Sequence, residues 1–180
     1  MSFMEVRLVP YSESLKESLF CFTAGCFEEL GKKFEPDGRH GFYNDIENEF
    51  DVFYCLVLDE EVIGTVGLKK VDVRAAGKKI DDGEVDLKND ECTVGLKQTG
   101  VRAVELKAMY LDRSYRGKGY GRMLMDKAVE EAKCLGYECI VLDSMSKYED
   151  ALRLYGKTGF KRIERYNDNV HADVFMRLDL

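Results

Sequence analysis

The chain has 180 residues, 45% of them hydrophobic and 34% charged, which is ordinary for a soluble globular protein of one domain. Its formal net charge of -7 argues against a general affinity for nucleic acid or for an anionic membrane surface. No stretch approaches the ~18 apolar residues that a membrane-spanning helix needs, and the N-terminus lacks the basic start and apolar core of a signal peptide.

Cysteine and histidine give little support for a disulfide framework or a metal site. The six cysteines include no C-x-x-C pair, and most lie in apolar helix or strand patterns, where cysteine acts as a small buried hydrophobe. His40 and His171 are the two histidines, and they give a zinc site poor support. We therefore expect reduced thiols, a cytoplasmic location and no metal.

The N-terminal part of the chain predicts a strand, two helices and a hairpin. The predicted elements are a strand at residues 4–9, a helix at 15–30, a shorter helix at 43–50, and strands at 51–58 and 62–68. Pro10 ends the first strand. Ser12 or Ser14 is placed to cap the first helix, and Gly31 marks its end. Asp59-Glu60-Glu61 is a hairpin signal between the two strands.

Residues from about 70 to 102 change character, being rich in Lys, Asp and Gly, and only residues 91–96 hint at a strand. A long loop inside a compact domain is usually functional or disordered. Three interpretations stay open: a surface insertion with its own short hairpin, a lid over the substrate, or disorder. We expect a single domain over residues 1–180, in which this insertion closes a substrate pocket or forms a dimer surface.

The C-terminal half carries the densest pattern. The predicted elements are a strand at 104–111, a helix from the following glycine loop to about Leu135, a strand at 138–143, a helix at 148–158, and a closing hairpin at 160–165 and 170–178. Gly136 stands where a helix C-terminal cap belongs. The run Cys139-Ile140-Val141-Leu142 indicates a strand that is buried on both faces. The final hairpin turns at Asn167-Asp168-Asn169.

The clearest motif is Arg116-Gly117-Lys118-Gly119-Tyr120-Gly121, between a predicted strand and a predicted helix. Glycines at such a junction leave backbone N–H groups accessible, and a helix N-terminus carries roughly half a positive charge, which suits a phosphate-bearing ligand. The spacing matches neither a nucleotide-hydrolase phosphate loop nor the dinucleotide fingerprint, since Tyr120 and Arg122 stand where those motifs require other residues. Taken alone, the loop predicts a phosphate site or a plain turn.

Two further features accompany the glycine loop. Strand alternation places Glu105, Lys107, Met109 and Leu111 on one face. A carboxylate and an ammonium inside an otherwise apolar strand are unusual for packing alone. Downstream, Leu154-Tyr155-Gly156-Lys157-Thr158-Gly159-Phe160 puts a tyrosine late in a helix, just before a glycine cap.

These three motifs together resemble those of the GNAT family of N-acetyltransferases, which use acetyl-coenzyme A. Arg116, Gly119 and Gly121 match the family's R/Q-x-x-G-x-G/A loop. Residues 105–111 match a strand of the form E-L-K-x-(L/M)-Y-(V/L), and residues 154–160 match a helix that ends L-Y-x-x-x-G-F. The resemblance implies an α/β fold of the acyl-CoA N-acyltransferase type, with a central mixed sheet, splayed parallel strands and flanking helices.

The resemblance extends to a bacterial subgroup. Members of that subgroup carry L-D-(T/S) after the fifth strand and F-M-x-L-D-L at the end, which match Leu142-Asp143-Ser144 and residues 175–180. All the matching motifs lie between residue 103 and the C-terminus, while the N-terminal elements agree with the fold but carry no motif.

The resemblance implies that acetyl-coenzyme A is the co-substrate. Backbone N–H groups of the glycine loop would hold its pyrophosphate, and an N–H near Met109 would polarise the thioester carbonyl. The expected coenzyme-binding residues are Met109, Tyr110, Leu111, Arg116, Gly117, Lys118, Gly119, Tyr120 and Gly121. The cations of Lys118 and Arg122 would meet a phosphate from outside or lie on a solvated surface.

The resemblance also implies two catalytic residues. Glu105 stands where family members often place a general base that acts through water, and the alternative is a salt bridge with Lys107 or another neighbour. Tyr155 is placed to protonate the departing thiolate, and its ordinary pKa of about 10 lies slightly above the ~8.5 of a thiol. The alternative for Tyr155 is a packing role. Many members have Asn at the position of Tyr148, whose role therefore stays open.

The acceptor side has weaker signals. Family members build the acceptor pocket from the first helix pair, the loop between those helices and the final hairpin. The acceptor candidates are Phe27, Tyr43, Tyr166 and His171, within a wider set that adds Glu28, Phe42 and Asn169. Aromatic rings and carboxylates suit a small amine or an amino-acid-like acceptor.

We therefore expect an N-acetyltransferase that works by direct attack in a ternary complex, as a monomer or homodimer. The alternatives are a sensor or interaction module that binds acetyl-coenzyme A without turnover, and an enzyme for longer acyl chains.

Overall fold

The computed structural model describes residues 5–71 and 101–180. The expected insertion at about 70–102 therefore falls almost wholly outside the described residues, as do the possible strand at 91–96 and Cys92. The interpretations of that segment stay predictions, and so does the single domain across the whole chain.

The described residues form a mixed sheet and several helices. The strands are β1 (Arg7–Pro10), β2 (Val52–Leu58), β3 (Glu61–Lys70), β4 (Ala103–Leu111), β5 (Cys139–Ser144), β6 (Lys161–Arg162) and β7 (Val174–Asp179). The helices are α1 (Lys16–Glu29), α2 (Ile46–Glu49), α3 (Tyr120–Cys134) and α4 (Glu149–Thr158). None of these helices has both the length and the apolar character that crossing a membrane requires.

The strands lie in one sheet in the order β1-β2-β3-β4-β5-β7-β6. β4 and β5 pair in parallel, whereas β1 with β2, β2 with β3, β5 with β7 and β6 with β7 are antiparallel pairs. The predicted α/β fold with a mixed sheet is confirmed. The chain also divides into two compact units, the first made of Met1–Lys69 with Leu106–Glu131 and the second of Lys70–Glu105 with Ala132–Leu180.

The core of the first unit is rich in aromatic rings. The buried residues of α1 are spaced three or four apart, as one face of a helix requires, and are Leu19, Thr23, Cys26 and the adjacent Phe27. Leu19 packs in a cluster with Tyr43, Phe50 and Phe53 and with aliphatic side chains of β2 and β3. The predicted hairpin joins those strands, since Asp59 and Glu60 have φ of 49° and 69°, as a two-residue turn requires.

Three predicted element boundaries in the first unit were wrong. β1 begins at Arg7, whereas the predicted strand included residues 5 and 6. α1 begins at Lys16 after a 3-10 turn, and the Ser12 and Ser14 hydroxyls bond to each other at 2.8 Å instead of capping the helix backbone. The helix predicted at 43–50 is a 3-10 turn at Gly41–Asn44 followed by α2, because Asp45 between them has φ −140° and ψ 58°.

β4 departs from regular alternation at Ala108, whose φ of 51° lies in the left-handed region. Its carbonyl accepts a hydrogen bond from the Thr65 hydroxyl at 2.7 Å. One such residue breaks the two-residue period of a strand. The predicted common face for Glu105, Lys107, Met109 and Leu111 is therefore wrong beyond Lys107.

The second unit is built around β5. The side chains of Cys139, Ile140, Val141 and Leu142 are at most 1% exposed, so the predicted burial on both faces is confirmed. β4 pairs with β5 at Ala103–Glu105 alone, and β7 pairs with the whole length of β5. Of the strand predicted at 160–165, only Lys161–Arg162 form a strand, β6. The chain then turns into a compact connection, in which Arg165 donates to the carbonyls of Asn169 and Ala172.

Candidate active site

The predicted phosphate loop lies between β4 and α3 in the first unit. Gly117 and Gly119 have φ of 75° and 89°, conformations that L-residues rarely adopt. A Cβ atom built on either glycine would meet no other atom within 4 Å, so the space beside both is open. α3 begins immediately afterwards at Tyr120, and its first N–H groups therefore belong to the loop. This local geometry can accept an anionic group against the backbone.

The side chain of Arg116 anchors the start of the loop. Its guanidinium bonds to both carboxylate oxygens of Glu29 at the end of α1, at 2.7 and 2.9 Å. Its Nε donates to the carbonyl of Leu111, the last residue of β4, at 3.1 Å. Arg116 therefore ties the loop to a helix and a strand of the same unit.

Two other cations accompany the loop. The Lys118 ammonium lies 5.1 Å from the centre of the Tyr115 ring. Arg122 donates to Asp126, one turn further along α3, at 2.7 Å. The expectation that either cation meets a phosphate stays a prediction.

The three β4 residues expected to bind the coenzyme, Met109, Tyr110 and Leu111, are half-buried. Gly64 of β3 passes close beneath them. A Cβ at Gly64 would lie 3.1 Å from the Leu111 side chain and 3.3 Å from the Tyr110 carbonyl oxygen. A larger residue at position 64 would therefore make tight contacts with this end of β4.

Glu105, the predicted base, is 9% exposed in the second unit. The Tyr166 hydroxyl donates to its Oε1 at 2.6 Å, and the Nδ2 atom of Asn167 lies 3.2 Å from the same oxygen. Tyr166 was predicted to contact the acceptor, and the structure places it 4% exposed against this carboxylate. Burial and the Glu105 charge raise the pKa of Tyr166 well above its ordinary value, so Tyr166 is a donor in this bond.

A second carboxylate, Asp143 of β5, belongs to the same group of side chains. It accepts from Asn167 at 2.5 Å and from Asn169 at 3.1 Å. Asn167 was predicted only as part of the hairpin turn and not as a site residue. Turn asparagines are common, and nothing local distinguishes this one from the others.

Tyr155, the predicted acid, lies near the end of α4 and is 8% exposed. α4 ends at Gly159, whose φ of 109° and N–H bond to the Tyr155 carbonyl form the predicted glycine cap. Burial and, second, the charge of Asp143 raise the pKa of Tyr155 to about 12. The phenol therefore keeps its proton at neutral pH. The neighbouring Tyr148 precedes α4, with the Lys147 ammonium 5.3 Å from its ring centre.

The acceptor candidates are divided between the two units. In the first unit, Phe27 is 6% exposed and its ring centre lies 4.5 Å from that of His40. Tyr43 is 1% exposed inside the core. In the second unit, His171 is exposed and its backbone N–H donates to Asn169 at 3.1 Å. Across residues 5–71 and 101–180, no group of three or more His, Cys, Asp or Glu side chains is arranged to hold a metal ion.

Curated relatives match less than half of this chain. An uncharacterized N-acetyltransferase of Schizosaccharomyces pombe is 34% identical over 82 residues, which are 45% of this chain and 50% of that protein. The uncharacterized N-acetyltransferase YsnE of Bacillus subtilis is 35% identical over 75 residues, which are 41% of this chain and 50% of YsnE. The matched region thus spans about half the length of these relatives.

Solved structures share the fold. A GNAT-family acetyltransferase from Staphylococcus aureus Mu50 has a TM-score of 0.72 at 22% identity, covering 98% of this chain and 99% of that chain. A GNAT-family acetyltransferase from Brucella melitensis, in complex with acetyl-CoA, has a TM-score of 0.64 at 13% identity, covering 99% of this chain and 90% of that chain. The GNAT-like fold that the resemblance implied is confirmed.

A sequence profile of the acetyltransferase (GNAT) family matches residues 16–160, which are most of the chain. The match includes Glu105, the glycine loop and Tyr155, and it extends through N-terminal elements that carry no motif of their own. This protein belongs to the GNAT family of acetyltransferases.

Proposed function

We propose that this protein is an N-acetyltransferase that moves the acetyl group of acetyl-coenzyme A to the amine of a small or amino-acid-like acceptor. Membership of the family supports the reaction class, and the matching relatives carry the name N-acetyltransferase. The observation that carries the proposal is the loop after β4, where Gly117 and Gly119 combine left-handed backbone with open space. Acetyl-CoA is the ligand of the Brucella melitensis protein, which shares the fold.

The residues of the loop fit a pyrophosphate group. Backbone N–H groups of residues 117–121 would face it, supported by the positive end of the α3 dipole, while Arg116 anchors the loop through Glu29. The main chain of Met109, Tyr110 and Leu111 would pair with the pantetheine arm. Bound in this way, acetyl-coenzyme A supplies the activated acetyl group as a thioester.

We assign the general base to Glu105. An ammonium has no lone pair, so the acceptor must lose a proton before its nitrogen attacks the carbonyl carbon. Glu105 would take that proton directly or through a water molecule. Its contacts from Tyr166 and Asn167 come from neutral groups, which orient the carboxylate without adding positive charge.

Tyr155 would serve the departing sulfur as the new C–N bond forms and the C–S bond breaks. Its pKa of about 12 lies above the ~8.5 of a thiol, so complete proton transfer from Tyr155 to the thiolate is unfavourable. Tyr155 would therefore act mainly by donating a hydrogen bond to the developing thiolate. The acceptor ammonium releases two protons in all, one before the attack and one as the amide forms. One of them neutralises the thiolate and the other passes to solvent, which balances the reaction.

The acceptor contacts stay proposals from the sequence, with Phe27 and Tyr43 in the first unit and Tyr166 and His171 in the second. Phe27 and Tyr43 are 6% and 1% exposed, and Tyr166 bonds to Glu105. His171 is exposed, so within the second unit we propose that His171 contacts the acceptor.

The test follows the free thiol that each transfer releases. Purified protein is mixed with acetyl-coenzyme A and a panel of small amines and amino acids, and coenzyme binding is measured by calorimetry. Thiol release that depends on one class of amine supports the proposed N-acetyltransferase activity. Tight coenzyme binding without acceleration by any amine supports the sensor instead, and absence of coenzyme binding refutes both. Replacing acetyl by longer acyl-coenzyme A thioesters tests the third alternative.

Other features remain proposals from the sequence. The bacterial subgroup depends on Leu142-Asp143-Ser144 and residues 175–180, and the chain is proposed to act as a single cytoplasmic domain, monomeric or homodimeric. Free cysteines at five described positions agree with a reducing compartment: Cys21, Cys26, Cys55, Cys134 and Cys139.

A further inference from the structure

One side-chain amide, that of Asn167, contacts two carboxylates. Its Nδ2 lies 3.2 Å from Oε1 of Glu105 and 2.5 Å from Oδ2 of Asp143. An amide nitrogen carries two N–H bonds, so it can donate to both oxygens at the same time. The three side chains come from β4, β5 and the connection between β6 and β7, all within the second unit.

The orientation of this amide is determined at both of its ends. The Oδ1 atom of Asn167 accepts from the backbone N–H of Asn169 at 3.1 Å. A flipped amide would set its oxygen against two carboxylates and its nitrogen against a backbone N–H, and each of these contacts would be repulsive. The donor end of Asn167 therefore faces Glu105 and Asp143.

On the Glu105 side, two donors converge on one oxygen. Oε1 accepts from the Tyr166 hydroxyl at 2.6 Å as well as from Asn167. The Tyr166 ring is buried and packs edge-on against Phe175, with the ring centres 5.7 Å apart. Turning the carboxylate of Glu105 would break both bonds, so the pair of donors fixes its rotation.

On the Asp143 side, both oxygens have an amide donor. Asn167 donates to Oδ2 and Asn169 donates to Oδ1 at 3.1 Å. Burial is the larger cause that raises the pKa of Tyr155, and the charge of Asp143 is the second. Asn167 therefore donates both to Glu105, the proposed base, and to Asp143. The charge of Asp143 in turn acts on Tyr155, the proposed hydrogen-bond donor to sulfur.

We propose that Asn167 is a positioning residue for acetyl transfer, whose amide holds the Glu105 carboxylate in the orientation that receives the amine proton. The inference rests on the proposed function, in which Glu105 is the base. Two carboxylates that contact one nitrogen atom are close neighbours, and like charges repel. The two N–H groups of Asn167 offset that repulsion, so without them the Glu105 carboxylate turns away from Asp143.

Asn167→Asp separates this role from a purely structural one. Aspartate keeps an oxygen for the Asn169 N–H and so preserves the turn, but it replaces the amide donors with a third carboxylate. We expect kcat to fall about tenfold to hundredfold. The coenzyme Kd should stay within about twofold of the wild-type value. Thiol release gives kcat and the acceptor KM, and calorimetry gives the coenzyme Kd.

Two matched variants isolate the contact with Glu105. Asn169→Asp removes a donor to Asp143, keeps an oxygen for the His171 N–H, and leaves the bonds to Glu105 in place, so its loss of kcat should be smaller. Asn48→Asp adds the same charge on α2 in the first unit, where the exposed Asn48 amide donates to the Asp45 carboxylate at 2.8 Å, and it should leave kcat unchanged.

A spectroscopic measurement tests the amide bridge without relying on turnover. In protein labelled with 15N-asparagine, we expect the Asn167 side-chain protons to exchange slowly with solvent and to shift in Glu105→Gln. A wild-type protein that releases no thiol with any amine would refute the proposed function, while this spectrum still tests the bridge. Should Asn167→Asp fail to fold, Asn167→Ser and the spectrum take its place.

The proposal is supported when kcat falls at constant coenzyme affinity and the Asn167 amide is protected. It is overturned by wild-type kcat in Asn167→Asp, by equal losses of kcat and coenzyme affinity, or by an Asn167 amide that exchanges freely.

Discussion

At the scale of single residues, removing the hydroxyl oxygen of Tyr155 separates its packing role from its chemical role. The Tyr155 ring centre lies 5.9 Å from that of Phe160 and the side chain is 8% exposed, so Tyr155→Phe keeps the packing and removes only the hydroxyl. Positioned proton donors contribute about hundredfold or more to rates, and we expect kcat to fall by about that factor. Steady-state thiol release measures kcat, and calorimetry should find the coenzyme Kd unchanged.

Tyr137→Phe provides the control for this substitution. Tyr137 follows α3, and its ring faces the Arg102 guanidinium at 5.3 Å, so the variant removes a hydroxyl from the same unit but not from the proposed site. Its kcat should equal that of the wild type. A Tyr155→Phe enzyme that turns over as fast as the Tyr137→Phe enzyme would leave Tyr155 with a packing role only.

At the scale of elements, the Arg116–Glu29 pair joins the glycine loop to α1. The two side chains are 48% and 29% exposed, and exposed ion pairs contribute less than about 1 kcal/mol to stability. Glu29→Ala should therefore change the unfolding free energy little. It should weaken coenzyme binding about three- to tenfold, because the loop loses an anchor and must be ordered on binding. Urea unfolding and calorimetry measure the two quantities.

Arg153→Lys is the control for that pair, since Arg153 forms a comparable surface ion pair with Asp150 on α4. It should leave both stability and coenzyme affinity unchanged. Arg116→Lys should resemble Glu29→Ala, because an ammonium cannot reproduce the forked contact of the guanidinium. Equal coenzyme affinity in all three variants would show that the loop needs no anchor.

Elements with local signals were predictable from the sequence. The glycine loop, the end of α4 at Gly159 and the turn at Asp59 and Glu60 each depend on residues that are adjacent in the chain. Ala108 gave no such signal, because alanine carries no turn preference and its left-handed backbone accompanies a bond from Thr65, 43 positions away. The helix boundaries at Ser12 and Asp45 were missed because the Ser12 hydroxyl bonds to Ser14 instead of the helix backbone and because the backbone of Asp45 interrupts the predicted helix.

At the scale of the whole molecule, the family was predictable and the network around its base was not. Three short motifs, each readable along the chain, were enough to indicate the fold and the reaction class. The contacts of Asn167 join residues that are 62 and 24 positions apart, to Glu105 and Asp143 respectively. No spacing rule connects an asparagine in a turn to carboxylates on two strands. Such a network becomes visible only when the strands are paired.

Coenzyme binding should also be visible in the stability of the whole molecule. A ligand that binds only the folded state stabilises it by about 2.7 kcal/mol at a hundredfold excess over Kd. For a protein of this size that corresponds to a rise in Tm of roughly 5–10 °C, which differential scanning fluorimetry with coenzyme A measures. Gly119→Asp should abolish the rise, because its side chain would occupy the open space in front of the loop and repel the pyrophosphate.

Gly31→Asp is the matched control for Gly119→Asp. Gly31 follows α1 with a φ of 67° and, like Gly119, has open space where a Cβ would be, so both variants carry the same added charge and a comparable backbone strain. Both should lower the Tm of the free protein. Only Gly31→Asp should keep the rise on adding coenzyme A, because Gly31 lies outside the loop that faces the pyrophosphate. A rise that survives in Gly119→Asp would place the pyrophosphate elsewhere, and a rise lost equally in both variants would assign the effect to strain.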